Sequence, residues 1–517
     1  MSLTLRAAEE VLVNTESRRQ AVSTQLGGRE RSSLGQFFTP SPVAQFIASL
    51  PALPNSGTVR ILDPGAGIGS LSAAIIARIV TQRSDLAIEL TAVEVDASLS
   101  TELKRTLDDC QHLADSSGCQ LISRVIESDF LEWASDSVGT IPLGKAAESF
   151  DIVVMNPPYR KVNTGTRERL ALKRINVEAS NLYVAFLALS CALLSTDGQI
   201  AAITPRSFAN GPYFRSFRRY FLDRVVFDRI HLFESRSMVF SGDAVLQENV
   251  IFSVSGTLDI ARDAEVVISS SVGADEEMTF RKVPHAEVVD PKDPDCFVHI
   301  VIDDEGAAIS GLMSLMPTRL PDLGIEVSTG RVVDFRSRDH LRIEPAADTV
   351  PLIYQGNLRG GGIVWPGSVK KPTSIVVCIE TSKLLLPVET FVLVKRFTSK
   401  EERRRVTASV FEASDVTTDQ VGFENHLNVF HSENRGLDDV LARGLAAWLN
   451  STVVDRYFRS FNGHTQVNAT DLRRLPYPTM TELVALGGSI GSGPTSDQEK
   501  IDGLVNTHVK VFQGLTT

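Results

Sequence analysis

The most specific chemistry in the sequence lies in four neighbouring residues, Asn156-Pro157-Pro158-Tyr159. The two prolines remove backbone N–H donors and stiffen the chain, yet keep their carbonyls. The Asn156 side-chain carbonyl and the Pro157 carbonyl could together accept both hydrogens of one planar amino group. Tyr159 could stack on the ring that bears it. The plainer alternative is a proline-rich turn after a buried strand. Upstream, Asp63-Pro64-Gly65-Ala66-Gly67-Ile68-Gly69 holds glycines that let the backbone turn sharply and come close to a ligand. A tight strand-to-helix turn would use the same glycines. No Gly-Lys-Ser/Thr follows, and the spacing is not the G-x-G-x-x-G dinucleotide fingerprint. Glu94 could accept both hydroxyls of a ribose, or be a solvated strand-end carboxylate. Asp129-Phe130 could accept from an adenine amino group and pack a ring on the base, or be a helix cap followed by a core residue.

These clusters share a position. Residues 59–62, 88–95, 121–126 and 150–155 read as short apolar strands, and a cluster closes each one. Helices are expected over 42–50, 71–79, 99–113, 181–194 and 214–222, with further strands at 199–204, 225–232 and 248–254. Strands alternating with helices at this rhythm give a doubly wound α/β sheet. Such sheets bind ligands outside the carboxyl ends of their strands.

Composition narrows the class. A chain of 517 residues has room for several domains. With 43% apolar and 22% charged residues, it is not mainly disordered, fibrous or coiled-coil. The longest strongly apolar stretch, 182–194, is shorter than the ~20 residues that span a bilayer, so no membrane segment is expected. The start of the chain lacks the pattern of a signal peptide. Five scattered cysteines without a C-x-x-C argue against a disulfide framework or a zinc site, so no metal is expected and a reducing cytoplasm is the simplest location. A formal net charge of -11 excludes a uniformly basic coat but leaves room for a local basic groove. The alternation stops near residue 256. An acidic run, Asp275-Glu276-Glu277, and Pro291-Lys292-Asp293-Pro294 then suggest a boundary region. The expected organisation is a domain at 1–256, a boundary at 257–300, a second domain at 301–480 with a helical region over 437–458, and a tail at 481–517. Its Gly/Ser-rich part, 487–493, reads as flexible.

With these residues in order, the chain resembles the adenine-specific DNA methyltransferases of restriction-modification systems. The resemblance is to the TaqI-like and PstI/BsuBI-like group, in which the cofactor motifs precede the catalytic motif. It rests on Gly35-Gln36-Phe37-Phe38-Thr39-Pro40, the glycine loop, Glu94, Asp129-Phe130 and Asn156-Pro157-Pro158-Tyr159, and it covers about the first 255 residues.

The resemblance implies a Rossmann-like methyltransferase sheet with a C-terminal mixed α+β target-recognition domain. It implies S-adenosylmethionine as cofactor, with Thr39 and Pro40 near its methionine part, Asp63, Gly65 and Gly67 lining the same pocket, Glu94 on the ribose, and Asp129 and Phe130 on the adenine. Asn156 and Pro157 would bind the target amino group, with Pro158 stiffening the turn and Tyr159 stacking on the base. Phe240 is the candidate for a second stacking ring, with Phe233 as its competitor. Double-stranded DNA would be the partner and a separate restriction endonuclease the functional companion. For DNA phosphates the basic stretch Lys395, Arg396, Lys400, Arg403, Arg404 and Arg405 is the candidate, alongside Arg215-Ser216-Phe217-Arg218-Arg219 and the polar loops at 462–466 and 328–331; each could instead be a solvated face. RNA adenine and protein glutamine methylation use the same chemistry and stand as rival readings.

Overall fold

The structure, a computed structural model, describes residues 3–25, 38–139, 149–161, 172, 177–178, 181–233, 248–256, 264–273, 277–316, 318–367, 371–399, 401–463, 465–491 and 496–513. The chain divides into two compact units, Met1–Ile302 and Asp303–Thr517. Among the described residues no helix is long and apolar enough to cross a membrane.

The first unit is built on one large sheet. Its strands are β1 (Thr58–Pro64), β2 (Ala87–Glu94), β3 (Leu121–Glu127), β4 (Phe150–Met155), β5 (Leu194–Pro205), β6 (Val225–Phe233), β7 (Asn249–Gly256), β8 (Glu265–Ser271) and β9 (Thr279–Pro284). They lie in the order β3-β2-β1-β4-β5-β7-β6-β8-β9. The strands from β3 through β5 are parallel, and β7 runs antiparallel between β5 and β6. The order reverses between β1 and β4, which makes the crevice beyond their carboxyl ends the natural ligand site.

Both faces of this sheet are covered, so its central strands are apolar along their length rather than alternating. Successive residues still separate. Ile152 and Val154 enter a core with the helices α1 (Leu3–Gln25), α2 (Ser41–Ser49), α3 (Ser70–Gln82) and α4 (Ala97–Ser117). Val153 and Met155 enter a second core with α5 (Phe130–Gly139), α6 (Leu182–Ala192) and α7 (Arg215–Leu222). Local signals fix the connections. Asp96 caps α4 by accepting from the Ser98 and Leu99 amides, and Gly118 ends it in the left-handed conformation.

The segment 257–300 differs from its expected role as a boundary. It carries β8 and β9, and it lies in the first unit. β8 pairs in parallel with β6 and would otherwise leave that strand as an edge; β9 folds back antiparallel on β8. The sequence hides β8 because its end is Ser269-Ser270-Ser271. These serines are buried, and Ser269 and Ser271 hydrogen-bond the two ring nitrogens of buried His231 at 2.9 and 3.3 Å.

The second unit is mixed α and β. A four-stranded antiparallel sheet holds Glu326–Thr329, Leu427–His431, Phe391–Lys395 and Ala408–Phe411 in that order, and a five-stranded sheet includes Thr349–Ile353 and Gln420–Phe423. The expected helix over 437–458 is two, Asp439–Leu449 and Thr452–Phe461, with Ser451 capping the second through the Val454 amide. The expected tail also folds, into Met480–Ile490 and Gln498–His508. Gly487 is a crossing point rather than a flexible link. A Cβ there would collide with the Val440 carbonyl oxygen, and one at Gly444 with that of Leu483. The two helix backbones touch because both residues lack side chains.

Candidate functional site

The loop after β1 supplies the floor of a pocket. Gly65 and Gly67 have φ of +71° and +58°, and the Gly65 and Ala66 amides donate to the Val93 carbonyl at 2.8 and 3.0 Å. Those bonds fold the loop over the end of β2. Glu94 then orders it from the side: one carboxylate oxygen accepts from the Gly67 amide at 2.7 Å and the other from the Asp96 amide at 2.9 Å. Burial raises the Glu94 carboxyl above its ordinary pKa. Each carboxylate oxygen keeps further acceptor capacity.

Of the expected cofactor residues, Gly65, Gly67, Glu94, Asp129, Phe130 and Asn156 line this one pocket, together with Pro158. Asp129 is a helix cap and also a pocket residue. Its Oδ1 caps α5, accepting from the Leu131 amide at 2.7 Å, while the residue lies in the pocket wall. Phe130 is likewise buried in the core and lines the pocket.

Asp63 departs from its expected place. It is buried behind the loop and accepts from the Ser72 amide at 3.1 Å and the Ser72 hydroxyl at 2.6 Å, tying β1 to the first turn of α3. Burial pushes its carboxyl up to about 7. It is not among the pocket's lining residues. Thr39 and Pro40 follow Phe38, which lines the pocket. The Pro40 carbonyl opens α2 by accepting from the Ala44 amide at 2.9 Å, and the Thr39 hydroxyl faces Asn156.

Asn156 sits at the end of β4 with its side-chain amide engaged at both ends. Nδ2 donates to Thr39 Oγ1 at 3.0 Å, and Oδ1 accepts from the Tyr159 hydroxyl at 3.1 Å. Pro157, the next residue, is buried. The Tyr159 ring meets buried Tyr183 edge-on, at 6.3 Å between centroids and 82°. Tyr183 in turn shares a 2.7 Å hydrogen bond with Ser207. Burial drives the Tyr159 hydroxyl pKa far upward, so it stays protonated.

Phe240 and Lys400 lie outside the described residues, as do Gly35, Gln36, Phe37 and His464. Phe233, the competitor of Phe240, is core: it is buried and packs against His231 with centroids 4.6 Å apart. The basic residues are distributed unevenly. Arg403 is exposed. Lys395 is half-buried, as is Arg396, which donates to the Asn425 carbonyl; Arg404 donates to Thr452. Arg405 is buried against Thr398 and Asn462. In the first unit Arg218 is buried and donates to the backbone carbonyls of Phe208, Gly211 and Asp295, while Arg215 and Arg219 reach the Pro294 carbonyl. Arg218 is thus part of the interior, while Arg215 and Arg219 are exposed.

The Eco57I restriction-modification methylase family matches residues 79–240. The type II methyltransferase M.PstI of Providencia stuartii is 40% identical over 498 residues, 96% of this chain and 97% of its own length. The chain belongs to this type II methyltransferase family. M.BsuBI of Bacillus subtilis, also a type II methyltransferase, is 40% identical over 481 residues, covering 92% of this chain and 94% of its own. A tRNA1(Val) (adenine(37)-N6)-methyltransferase of Citrobacter koseri is 25% identical over only 159 residues, 30% of this chain and 55% of its own.

The pocket of this type II methyltransferase also includes residues that the sequence did not single out. Arg160 and Phe186 line it, beside Phe38 of the run 35–40 on which the resemblance rests. The Phe186 ring lies 4.8 Å from that of Phe130, and a Cβ added at Gly65 would come within 3.2 Å of it. Its helix, α6, is apolar all round and buried, so no periodicity could mark one of its residues as facing a ligand.

Proposed function

We propose that this methyltransferase is site-specific for DNA adenine. In this reading it transfers a methyl group from S-adenosylmethionine to N6 of an adenine flipped out of the duplex. Its role would be to protect host DNA, in the cytoplasm, from a companion restriction endonuclease. The observation that carries the reading is the convergence of Asn156 with Glu94, Asp129 and the glycine loop on one pocket.

The pocket suits a nucleoside cofactor. Glu94 offers a buried carboxylate, Phe130 and Phe186 offer ring faces, and Gly65 and Gly67 present backbone without side chains. When bound, the cofactor supplies a methyl group activated on a sulfonium. The protein's own residues do the rest by position and charge. An adenine amino group is a weak nucleophile because its lone pair is delocalised into the ring. The Asn156 Oδ1 and the Pro157 carbonyl would accept its two hydrogens and stabilise the positive charge that grows on nitrogen as it takes up the methyl group. This is preorganised electrostatic stabilisation, and fixed alignment adds a positioning contribution. Tyr159, protonated throughout, is not the base; the proton leaves to water. Flipping the base costs a few kcal/mol, and stacking on Tyr159 offsets roughly 1–3 kcal/mol of it. Phe240 is the proposed second ring. The second unit is the proposed target-recognition domain, and Lys395, Arg396, Arg403 and Arg404 are its proposed phosphate contacts.

The relatives favour DNA over RNA or a protein amide. Similarity to the M.PstI relative runs through both units, whereas the tRNA enzyme matches a length too short to span them. The test is transfer from labelled S-adenosylmethionine to unmethylated genomic DNA, followed by nucleoside analysis and mapping. N6-methyladenine in one short sequence context is expected. Label in cytosine, or in RNA alone, overturns the reading.

A further inference from the structure

Resting on the methyl-transfer reading, we propose that Thr39 and the Tyr159 hydroxyl are positioning groups. Together they fix the plane and the polarity of the Asn156 amide, so that Oδ1 and not Nδ2 is presented to the target amino group.

The geometry needs such a device. An amide side chain is nearly symmetrical in shape, and a rotation that exchanged its two ends would put a donor where the reaction needs an acceptor. The structure brackets Asn156 between two hydroxyls, with Thr39 Oγ1 at 3.0 Å from Nδ2 and the Tyr159 hydroxyl at 3.1 Å from Oδ1. Either hydroxyl can donate or accept, but they are not equivalent. A phenol shares its oxygen lone pair with its ring, which makes it the better donor and the poorer acceptor. An aliphatic hydroxyl is the better acceptor. The pair therefore favours oxygen toward Tyr159 and nitrogen toward Thr39. A carbonyl oxygen has two lone pairs, so it can accept from Tyr159 and from a target amino group at once.

Both hydroxyls are held from behind by separate elements. Thr39 is buried at the entrance to α2, whose Ser41 amide is anchored to Glu16 of α1 at 3.1 Å. The Tyr159 ring is backed by Tyr183, itself bonded to Ser207. Thr39 is not among the residues that line the pocket. The bond to Asn156 gives it a role beside the cofactor contact that the family resemblance implies.

The experiment compares Thr39→Val, Thr39→Ser and Tyr159→Phe with the wild type. It measures single-turnover transfer from tritiated S-adenosylmethionine to unmethylated genomic DNA, with cofactor affinity measured by calorimetry. Thr39→Val keeps the shape but loses the acceptor. Its rate at saturating cofactor should fall about 3- to 10-fold, as loss of one orienting hydrogen bond allows, while cofactor affinity stays unchanged. Thr39→Ser should recover most of that rate. Tyr159→Phe keeps the ring and should show a fall of similar size. The double variant should lose less than the product of the two, because both act on one amide. If Thr39→Val instead weakens cofactor binding and leaves the saturated rate intact, Thr39 is a cofactor contact and the proposal fails. It fails too if Tyr159→Phe transfers at the wild-type rate, which decides the matter even where Thr39→Val does not fold. A wild-type chain that methylates no DNA would remove the underlying reading and this inference together, an outcome distinct from either variant result.

Discussion

The end of β4 and the stretch around Arg405 were both marked by residue type alone, and they differ in what the fold makes of them. At the end of β4 the polar groups converge. Asn156 joins Glu94, Asp129 and two glycines from three other strand ends in one pocket wall. Around Arg405 the charges diverge. Arg405 is buried and bonded to Thr398 and Asn462, Arg404 reaches Thr452, and Arg403 is exposed. The difference teaches that a motif is informative when the topology forces its position. A parallel sheet brings every strand's carboxyl end to one edge, so residues far apart in sequence must meet there. A run of arginines carries no such constraint, and each can serve the local fold instead.

The comparison can be sharpened by substitution, beginning with the largest effect. Gly487→Ala places a methyl against the Val440 carbonyl, where neither backbone can yield. A loss of about 3 kcal/mol is expected from such overpacking, read as a lowered denaturation midpoint. A change below the error of that measurement would mean that the helix crossing is loose.

Next, Arg405→Ala and Arg403→Ala should separate cleanly. Removing Arg405 takes one donor each from the buried Asn462 Oδ1 and Thr398 Oγ1, which keep their other bonds, and should cost about 1–3 kcal/mol of stability. Removing Arg403 should leave stability within about 0.5 kcal/mol, yet weaken DNA binding and lower the salt dependence by roughly one phosphate contact. If Arg405→Ala were the one that lost only DNA affinity, the contrast drawn between the two residues would be reversed.

The smallest effect concerns pH. The Asp63 carboxyl is pushed up to about 7 by burial, so the folded chain binds a proton that the unfolded chain has already released. A raised folded-state pKa gives a contribution that is fully present below the unfolded value, about 3.9, and is lost as pH rises through about 7. Stability relative to Asp63→Asn should therefore decline across that window. Urea melts of both proteins at several pH values check it, and parallel curves would show that Asp63 ionises normally.

Much of the first unit was legible because its signals are repeated. Apolar runs at 59–62, 88–95, 121–126 and 150–155 each led to a strand, and each strand end bore an unusual cluster. What stayed hidden had a physical cause in each case. β8 ends in serines that satisfy buried His231, so it did not read as an apolar strand. Phe186 lies on a helix that is apolar on every side. Asp63 belongs to the same run as the glycines, but spacing cannot show that its side chain turns back to Ser72. In the second unit, Gly444 and Gly487 look like flexible positions until the helices that cross at them are seen.

The most direct test of the central claim, that Asn156 supplies chemistry rather than structure at the shared pocket, is the Asn156→Ala variant. Methyl transfer to DNA and affinity for S-adenosylmethionine would be measured on the same preparation. The account predicts a rate lower by roughly 100- to 1000-fold, the scale set by losing a preorganised charge-stabilising group, with cofactor binding and thermal stability retained. A rate within about 10-fold of the wild type would contradict it, because the convergence at the end of β4 would then not be where the methyl group is transferred.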